Sequence, residues 1–445
     1  MSPDDWTPQP HLPSYWVTTG GPEPDGVTPL AGDRTVEVAV IGGGYTGLAA
    51  ARRLAGTYGL DTLVLESHRV GWGASGRNGG FASFTLGKVP LAERIRRWGL
   101  DAARSSIRVG LEAVETVREL IATEEIDCQP QPPGYLVVAH RPRELADLRQ
   151  RAALYRDPLG YDGVAVLDRA ALEADGYLRG PSAHGALRLR DAFGLHPMRY
   201  VRGLAAAALR RGARLCDRSP VLAWQRDGGW HHLSTPGGTV RARRVVMATN
   251  GYTPEGLHPF LGGRTLPATS NIIVTRPLTA AEWRAIGMLT TQVYADTRKL
   301  LFYWRRLPDD RMLFGGRAGI VNSAGTLERR RRWLEARLAE KFPVLQGLGS
   351  ESFWYGKVCL AYDLTPHVGT ADGDPSVAYA LAYMGSGVAM ATYCGGLAAD
   401  LAAGKDVARD TPLTAAPLPR FPLPILRQLY LAGAYVLYNL TDRRR

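Results

Sequence analysis

Apolar residues occur in short runs and in helical periods, and the first such segments frame a glycine-rich turn. Val36 to Ile41 is a nearly continuous apolar run between turn residues, which predicts a strand buried on both faces. The spacing of leucine and alanine over Gly47 to Leu54 predicts a helix, and Thr62 to Leu65 predicts the next strand. The order strand, glycine turn, helix, strand is that of a nucleotide-binding βαβ unit.

Later segments repeat these signals and predict a second layer of structure. A long amphipathic helix follows from Ile107, and Gly134 to Ala139, Asn271 to Thr275 and Leu300 to Trp304 predict strands of another sheet. Two apolar, turn-bounded runs resemble the first strand, so we expect a discontinuous nucleotide domain; they are Val245 to Ala248 and Val377 to Tyr383. We predict a nucleotide domain at 30–105, 190–255 and 355–410, a substrate domain at 106–189 and 256–354, an N-terminal arm at 1–29 and a C-terminal tail at 411–445.

The tail carries an apolar run over Leu429 to Leu440 that is too short to span a bilayer. We expect it to pack on the body of the protein, with peripheral membrane contact as the alternative. Residues 1–13 lack the basic and apolar regions of a secretory signal. A cytoplasmic location is therefore the expectation.

Charge and cysteine content narrow the function classes. The formal net charge is +12, but only five of the 54 basic residues are lysine, and arginine is spread along the whole chain. That spread favours general arginine usage over a nucleic-acid site, and the run Arg329 to Arg332 fits a solvated helix face. The four cysteines (Cys128, Cys216, Cys359 and Cys394) have no zinc-like spacing, so we expect reduced thiols and no metal.

The turn after the first strand reads Gly42, Gly43, Gly44, Tyr45, Thr46, Gly47 and matches G-x-G-x-x-G. The pattern alone is weak, because Gly71, Gly73 and Gly76 match it too. Only the first copy has a strand before it, a helix after it and an acid, Glu66, at the end of the second strand. Free N–H groups at the helix start suit a pyrophosphate, and Glu66 suits ribose hydroxyls. The motif predicts a dinucleotide, either FAD or NAD.

Resemblance to a known protein family favours FAD over NAD. Gly71 to Phe81 reads G-W-G-A-S-G-R-N-G-G-F and resembles the loop after the second strand in the D-amino-acid oxidase and glycine oxidase superfamily of flavoproteins, most closely its gamma-glutamylputrescine oxidase branch. Further matches run in family order from about Ser14 to Asp442: V-A-V-I-G-G-G-Y-T-G-L-A-A-A, G-Y-L at Gly134, G-L-H-P at Gly194, A-T-N-G-Y-T-P at Ala248, L-F-G-G-R at Leu313, W-Y-G-K at Trp354 and Y-M-G-S-G-V at Tyr383.

The resemblance implies an α/β fold in which a Rossmann-like FAD-binding domain is interleaved with an α+β substrate domain containing a mixed or antiparallel sheet. It implies FAD held without a covalent bond, with the late glycine motif starting a helix directed at the flavin. The cofactor-binding residues that we predict are Gly42, Gly44, Tyr45, Thr46, Gly47, Glu66, Ser67, Gly73, Ala74, Ser75, Arg77, Asn78, Gly79, Gly80, Val221, Ala248, Gly356, Gly385, Ser386, Gly387 and Val388.

The chain departs from the family pattern in three places. Ser386 stands where many relatives have histidine. Cys359 lies near the position of a covalent flavin cysteine in the sarcosine-oxidase type, but its spacing to Thr365 differs, so attachment and a buried thiol both remain open. The stretches that carry the substrate-carboxylate clamp in relatives, here Gly79 to Phe81 and Val388 to Met390, contain no basic residue.

We therefore expect an oxidase of a C–N bond in a small amine or amino-acid derivative, with dioxygen as acceptor and hydrogen peroxide as product. The catalytic residues that we predict are Lys357, Tyr303 and Tyr355. Lys357 is the basic candidate for oxygen activation or anion recognition, with a surface or structural role as the alternative. Tyr303, Trp304, Trp354 and Tyr355 could line an aromatic pocket or belong to the core. The missing clamp favours an amine or polyamine derivative, or a tailored intermediate, over a simple α-amino acid. The alternatives are a dehydrogenase with another acceptor and an RNA-modifying flavoprotein, and the sequence sets no oligomeric state.

Overall fold

Two eight-stranded sheets form the framework of the computed structural model, which describes residues 9–320 and 322–443. The described strands are β1 (Arg34–Ile41), β2 (Thr62–Leu65), β3 (Phe81–Ala82), β4 (Tyr135–Val138), β5 (Val164–Asp168), β6 (Gly185–Leu189), β7 (Phe193–Gly194), β8 (Arg214–Cys216), β9 (Ala223–Asp227), β10 (Trp230–Thr235), β11 (Gly238–Met247), β12 (Leu266–Pro277), β13 (Val293–Asp296), β14 (Phe302–Arg306), β15 (Arg311–Arg317), β16 (Ser352–Leu360), β17 (His367–Ala371) and β18 (Asp374–Leu381).

The helices complete the layers around these sheets. They are α1 (Tyr15–Thr18), α2 (Tyr45–Tyr58), α3 (Leu91–Trp98), α4 (Leu100–Thr123), α5 (Pro142–Arg156), α6 (Arg169–Ala174), α7 (Pro197–Arg210), α8 (Ala280–Ile286), α9 (Ala324–Lys341), α10 (Gly387–Ala402) and α11 (Arg427–Arg443). The mixed α/β fold predicted from the sequence is confirmed.

The first sheet has the order β17-β18-β11-β1-β2-β8, with β10 beside β11 and β9 beside β10. Strands β18, β11, β1, β2 and β8 are parallel to their neighbours in this series, and β1 lies between β11 and β2. Val38, Ala39 and Val40 are fully buried, because helices or loops cover both faces of a parallel sheet. The apolar run in the sequence reflects this two-sided burial.

Close helix packing brings the starts of α2 and α10 to one edge of that sheet. Helix α2 packs on α7 and α10, and α10 also packs on α4. A Cβ atom at Gly395 in α10 would lie 2.4 Å from the carbonyl oxygen of Thr46 in α2, so only glycine permits this approach. At Gly47 a Cβ atom would lie 1.9 Å from the carbonyl oxygen of Gly42. Glycine is therefore required here for the first turn of α2 to pack against the glycine-rich turn.

The second sheet has the order β16-β12-β15-β14-β13-β4-β6-β5 and is antiparallel apart from the pair β13 and β4. Side chains alternate between its two faces. Along β14, Phe302 and Trp304 enter a core that also contains Leu334 of α9, whereas Tyr303 lies on the other face and borders a large cavity. The alternation therefore separates a packed face from a face that can receive a ligand.

The described parts of the arm and of the tail pack on the body of the protein. Trp16 of the arm is buried, and its indole N–H donates to the carbonyl oxygen of Asn78 at 2.8 Å. In the tail, Leu431 of α11 is buried beside Leu266 and Phe421. Within residues 9–320 and 322–443, no helix has both the length and the apolar content needed to cross a membrane.

The predicted segments match the strands and helices closely, with shifts at some ends. The strand expected at Leu300 to Trp304 begins at Phe302 instead. The reason is a distant partner, because the carboxylate of Asp442 accepts hydrogen bonds from the backbone N–H groups of Lys299 and Leu300 and holds these residues in a loop.

Candidate active site

The glycine turn between β1 and α2 forms one wall of the cavity. Gly42 has φ +114°, and a Cβ atom there would lie 2.8 Å from the carbonyl oxygen of Ala248. Gly44 caps helix α2 without a side chain, and the backbone N–H of Tyr45 donates to Ser75 Oγ at 3.0 Å. The turn thus leaves the start of α2 open to the cavity, where the helix dipole favours an anion.

Glu66 follows β2 and is enclosed by protein while remaining open to the cavity. Its carboxylate accepts hydrogen bonds from the N–H groups of Gly43 at 2.6 Å and His68 at 2.9 Å. Burial raises its pKa above the ordinary carboxyl value, and these two hydrogen bonds oppose the change. The carboxylate is therefore fixed at the end of β2, beside the glycine turn.

The second glycine loop, Gly71 to Phe81, is held by its own side chains. The Asn78 amide donates to the carbonyl oxygens of Ala74 at 3.1 Å and Ser75 at 2.9 Å, while its oxygen accepts from the N–H of Gly80 at 2.7 Å. The guanidinium of Arg77 lies 4.1 Å from the ring centre of Trp72 and donates from Nε to its carbonyl oxygen. These contacts within the loop hold its backbone in this conformation.

A second helix start reaches the cavity from the late glycine motif. Gly385 has φ +104°, Ser386 precedes α10, and the hydroxyls of Ser386 and Thr85 are 2.6 Å apart. Arg317 donates from Nη2 to the carbonyl oxygen of Met384 at 2.9 Å. The N-terminus of α10 therefore faces the cavity, next to Arg317 of the second sheet.

These walls enclose about 580 Å³, a size in the range of cofactor and substrate pockets. Lys357, Tyr303 and Tyr355, the predicted catalytic residues, all line it, whereas Trp304 and Trp354 lie in the core. Gly47, Gly80 and Val221 are absent from its described lining. The predicted cofactor residues that do line it are Gly42, Gly44, Tyr45, Thr46, Glu66, Ser67, Gly73, Ala74, Ser75, Arg77, Asn78, Gly79, Ala248, Gly356, Gly385, Ser386, Gly387 and Val388.

Aromatic side chains shape the end of the cavity beneath the second sheet. The hydroxyl of Tyr303 is 2.9 Å from Ser270 Oγ, and its ring meets Phe81 edge-on with centres 5.8 Å apart. Burial raises the pKa of Tyr303 to about 12, so it is a neutral phenol at physiological pH. The ammonium of Lys357 lies 5.2 Å from the ring centre of Tyr252.

Two basic residues at this end were missed by the sequence analysis. Lys88 and Arg317 both line the cavity, although neither belongs to the stretches searched for a clamp. The side chain of Lys88 is open to the cavity but is surrounded by protein. This burial lowers its pKa to about 7, and the positive charges of Arg317 and Arg151 lower the pKa in the same direction. The available signals were weak: Arg317 ends the quoted motif L-F-G-G-R, and Lys88 is one of five lysines.

Comparison with known proteins identifies the family. The family model described as DAO, FAD dependent oxidoreductase, matches residues 37–401. The chain belongs to this family of flavoproteins. It is 32% identical over 413 residues to gamma-glutamylputrescine oxidoreductase of Escherichia coli (strain K12), covering 92% of this chain and 93% of that protein.

Glycine oxidases are more distant relatives of this flavoprotein. That of Bacillus subtilis (strain 168) is 26% identical over 387 residues, covering 85% of this chain and 95% of that protein. The crystal structure of glycine oxidase from Geobacillus kaustophilus superimposes with a TM-score of 0.70 at 22% identity, covering 87% of this chain and all of that one. The predicted family and its FAD cofactor are thereby confirmed.

The residues around the cavity fit FAD on structural grounds. Two helix N-termini, neither with a side-chain cap, present the positive ends of their dipoles to a pyrophosphate, and the fixed Glu66 carboxylate is an acceptor for ribose hydroxyls. Arg77 Nη2 is buried without a hydrogen-bond partner among the described residues, as expected of a donor that meets a ligand. Which residue contacts which part of the cofactor stays a prediction.

Cys359 lines the cavity of the flavoprotein and is almost fully buried. Burial raises the pKa of its thiol to about 12, so the thiolate is scarce at neutral pH. The environment does not activate this cysteine as a nucleophile, which favours the noncovalent FAD predicted from the sequence. The other cysteines, Cys128, Cys216 and Cys394, form no disulfide with it or with each other.

Proposed function

We propose that this flavoprotein oxidises the C–N bond of a small amine that also carries a carboxylate, giving an imine that water hydrolyses. Dioxygen is the proposed acceptor, and its two-electron reduction yields hydrogen peroxide. The two relatives support the amine, since their printed names are gamma-glutamylputrescine oxidoreductase and glycine oxidase. Bound FAD would supply the two-electron acceptor for the bond that is oxidised.

Positive charge supports the proposed carboxylate on the substrate. It lies at the end of the cavity beneath the second sheet, which we call the substrate end. Lys88, Arg151 and Arg317 lie close enough for the two guanidinium charges to lower the pKa of Lys88. No aspartate or glutamate within the described residues forms an ion pair with any of the three. Lys88 and Arg317 line the cavity, whereas Arg151 does not. We call the three residues the cationic cluster. A carboxylate of the substrate would neutralise its charge and would be held by charge-assisted hydrogen bonds from Lys88 and Arg317.

The cationic cluster narrows the amine or polyamine derivative expected from the sequence to one that carries a carboxylate. A free diamine with two positive charges would be repelled, whereas an amino-acid derivative brings the anion that the cluster lacks. The same positive charge lowers the pKa of a bound substrate ammonium and so favours the neutral amine, from which the electrons can leave. Tyr303 and Phe81 can pack on the apolar part of the substrate and exclude water.

A pair of substrates tests the proposal. We expect peroxide release and oxygen consumption in a one-to-one ratio with amines bearing a carboxylate, and a much lower kcat/KM with the same amines lacking it. Lys88→Met should raise KM for the carboxylate-bearing amine roughly tenfold to a hundredfold, the usual worth of a charge-assisted hydrogen bond. Lys405→Met on the exposed surface is the matched control.

Two results would contradict the proposal. Equal kcat/KM for amines with and without the carboxylate would remove the cationic cluster from substrate recognition. Turnover with an artificial dye but none with dioxygen would make the enzyme a dehydrogenase that uses another acceptor.

A further inference from the structure

The C-terminal helix presents an apolar face to the outside. Helix α11 and the turn before it carry exposed large apolar side chains, of which Ile425 is the most exposed at 90%. We call this set the apolar stripe; it consists of Leu423, Ile425, Leu426, Leu429, Val436, Leu437 and Leu440. A helix on a protein surface normally turns its polar face to water, so this arrangement is the reverse of the usual one.

The spacing of the stripe shows that it is a single face. Leu429, Val436 and Leu440 are separated by seven and four positions, which places them on one side of a helix with 3.6 residues per turn. Leu431 points the other way and is buried beside Ala268 and Phe421. Helix α11 is therefore anchored to the body by one side and leaves an apolar side uncovered.

The surroundings of the stripe are positive. Residues 411–441 contain no aspartate or glutamate, and they carry Arg420 and Arg427. Arg330 of α9 lies close to α11, since its charge acts on the hydroxyl of Tyr435. Several arginines of the tail and of α9 also form ion pairs, Arg427 with Glu255, Arg331 with Glu335 and Arg332 with Glu328.

The charge around the apolar stripe favours an anionic lipid surface over a second copy of the chain as its binding partner. A second copy docked through the same face would set its Arg420 and Arg427 close to those of the first copy, and these like charges would repel each other. An anionic lipid surface attracts that charge and also buries apolar side chains. We infer that the apolar stripe of α11, flanked by its arginines, docks in the plane of an anionic membrane surface.

The stripe is also connected to the cavity. Asp442 at the end of α11 accepts hydrogen bonds from the N–H groups of Lys299 and Leu300, and the next residue, Leu301, lines the cavity. Tyr435, on the inner side of the helix, lies near Arg317 of the cationic cluster. A docked α11 therefore holds the substrate end of the cavity next to the lipid surface.

Vesicle binding tests the inference with the full-length, FAD-loaded protein. In co-sedimentation we expect binding to vesicles of phosphatidylglycerol and phosphatidylcholine, weaker binding to phosphatidylcholine alone, and loss of binding as salt screens the charge. The double variant Leu429→Glu, Leu437→Glu should lower the partition coefficient by more than about tenfold, because each leucine loses its apolar burial. These side chains are exposed, so the flavin spectrum should not change.

Two matched control variants test whether vesicle binding depends on the apolar stripe or on exposed leucines in general. Leu222→Glu and Leu289→Glu replace leucines that are 53% and 58% exposed but lie outside α11, and their vesicle binding should equal that of the unchanged protein. Failure to bind anionic vesicles at low salt would overturn the inference. So would vesicle binding that survives the double variant, or a dimer in sedimentation velocity that the double variant dissociates.

Discussion

At the scale of single residues, the lowered pKa of Lys88 makes a prediction about pH. Lys88 is protonated below its pKa of about 7 and neutral above it, so it attracts a carboxylate only at the lower pH. We expect the ratio of kcat/KM for a carboxylate-bearing amine to that for its carboxylate-free counterpart to fall roughly tenfold as pH rises through about 7. Taking the ratio cancels the ionisation of the amine itself.

Lys88→Arg provides the control, because guanidinium stays charged over this range. The ratio for this variant should be flat between pH 6 and 9. A fall of the same size in the variant and in the unchanged protein would assign the titration to another group.

Some site residues could be predicted from sequence because the backbone itself requires them. Gly42 and Gly47 are needed where a side chain would collide with a carbonyl oxygen, and Glu66 follows at the end of a recognisable strand. Lys88, Arg151 and Arg317 leave no such signal. They come from a turn, a helix and a strand that meet only in the folded protein, so their shared role depends on tertiary structure.

At the scale of secondary structure, two neighbouring glycines of α10 should respond in opposite ways. A Cβ atom at Gly395 would meet backbone of α2 at 2.4 Å, whereas at Gly396 the nearest atom is Cδ of Arg53 at 3.8 Å. Gly395→Ala should lower the free energy of unfolding by about 1–3 kcal/mol through overpacking. Gly396→Ala should raise it by about 0.5–1 kcal/mol, because alanine favours helix.

Urea unfolding of both variants measures the difference. Gly395→Ala should also weaken FAD retention, since α2 and α10 both begin at the cavity. Equal stability of the two variants would mean that the helices can separate without cost.

Buried strands were predictable from their apolar runs, but the ends of some elements depended on distant partners. The run Val377 to Tyr383 continues past the end of β18 at Leu381. Ala382 and Met384 have positive φ angles of 68° and 58°, so the chain leaves the sheet to begin the turn before α10. Sequence reports the hydrophobicity of these residues, whereas the turn is imposed by the packing of α10 on the sheet.

At the scale of the whole molecule, the cavity is built from both sheets, so a ligand should stabilise the entire fold. A ligand at roughly 100 times its Kd stabilises the folded state by about 2.7 kcal/mol. We expect FAD and ADP to raise the Tm of the stripped protein by several degrees, and FMN to raise it less, because FMN lacks the part that the turn and Glu66 are predicted to bind. Differential scanning fluorimetry measures these shifts.

The variant Glu66→Gln tests whether the Glu66 carboxylate contributes to the Tm shift with ADP. The variant keeps the shape of the side chain but loses the charge, so the Tm shift with ADP should shrink. Glu37→Gln, on the exposed part of β1, should leave it unchanged. A larger shift with FMN than with ADP would contradict the predicted position of the nucleotide.

The interleaved order of the first sheet has a consequence for synthesis on the ribosome. Strand β1 is synthesised early, but its sheet is complete only after β18. Helix α2 likewise lacks one of its packing partners until α10, at residues 387–402, has been synthesised. At 5 to 20 residues per second the intervening chain takes on the order of tens of seconds to translate. During that time the apolar side of α2 is exposed, and the cofactor pocket does not yet exist. Yield of active enzyme in a cell should therefore depend on chaperone protection of the nascent chain, more than on flavin supply during translation.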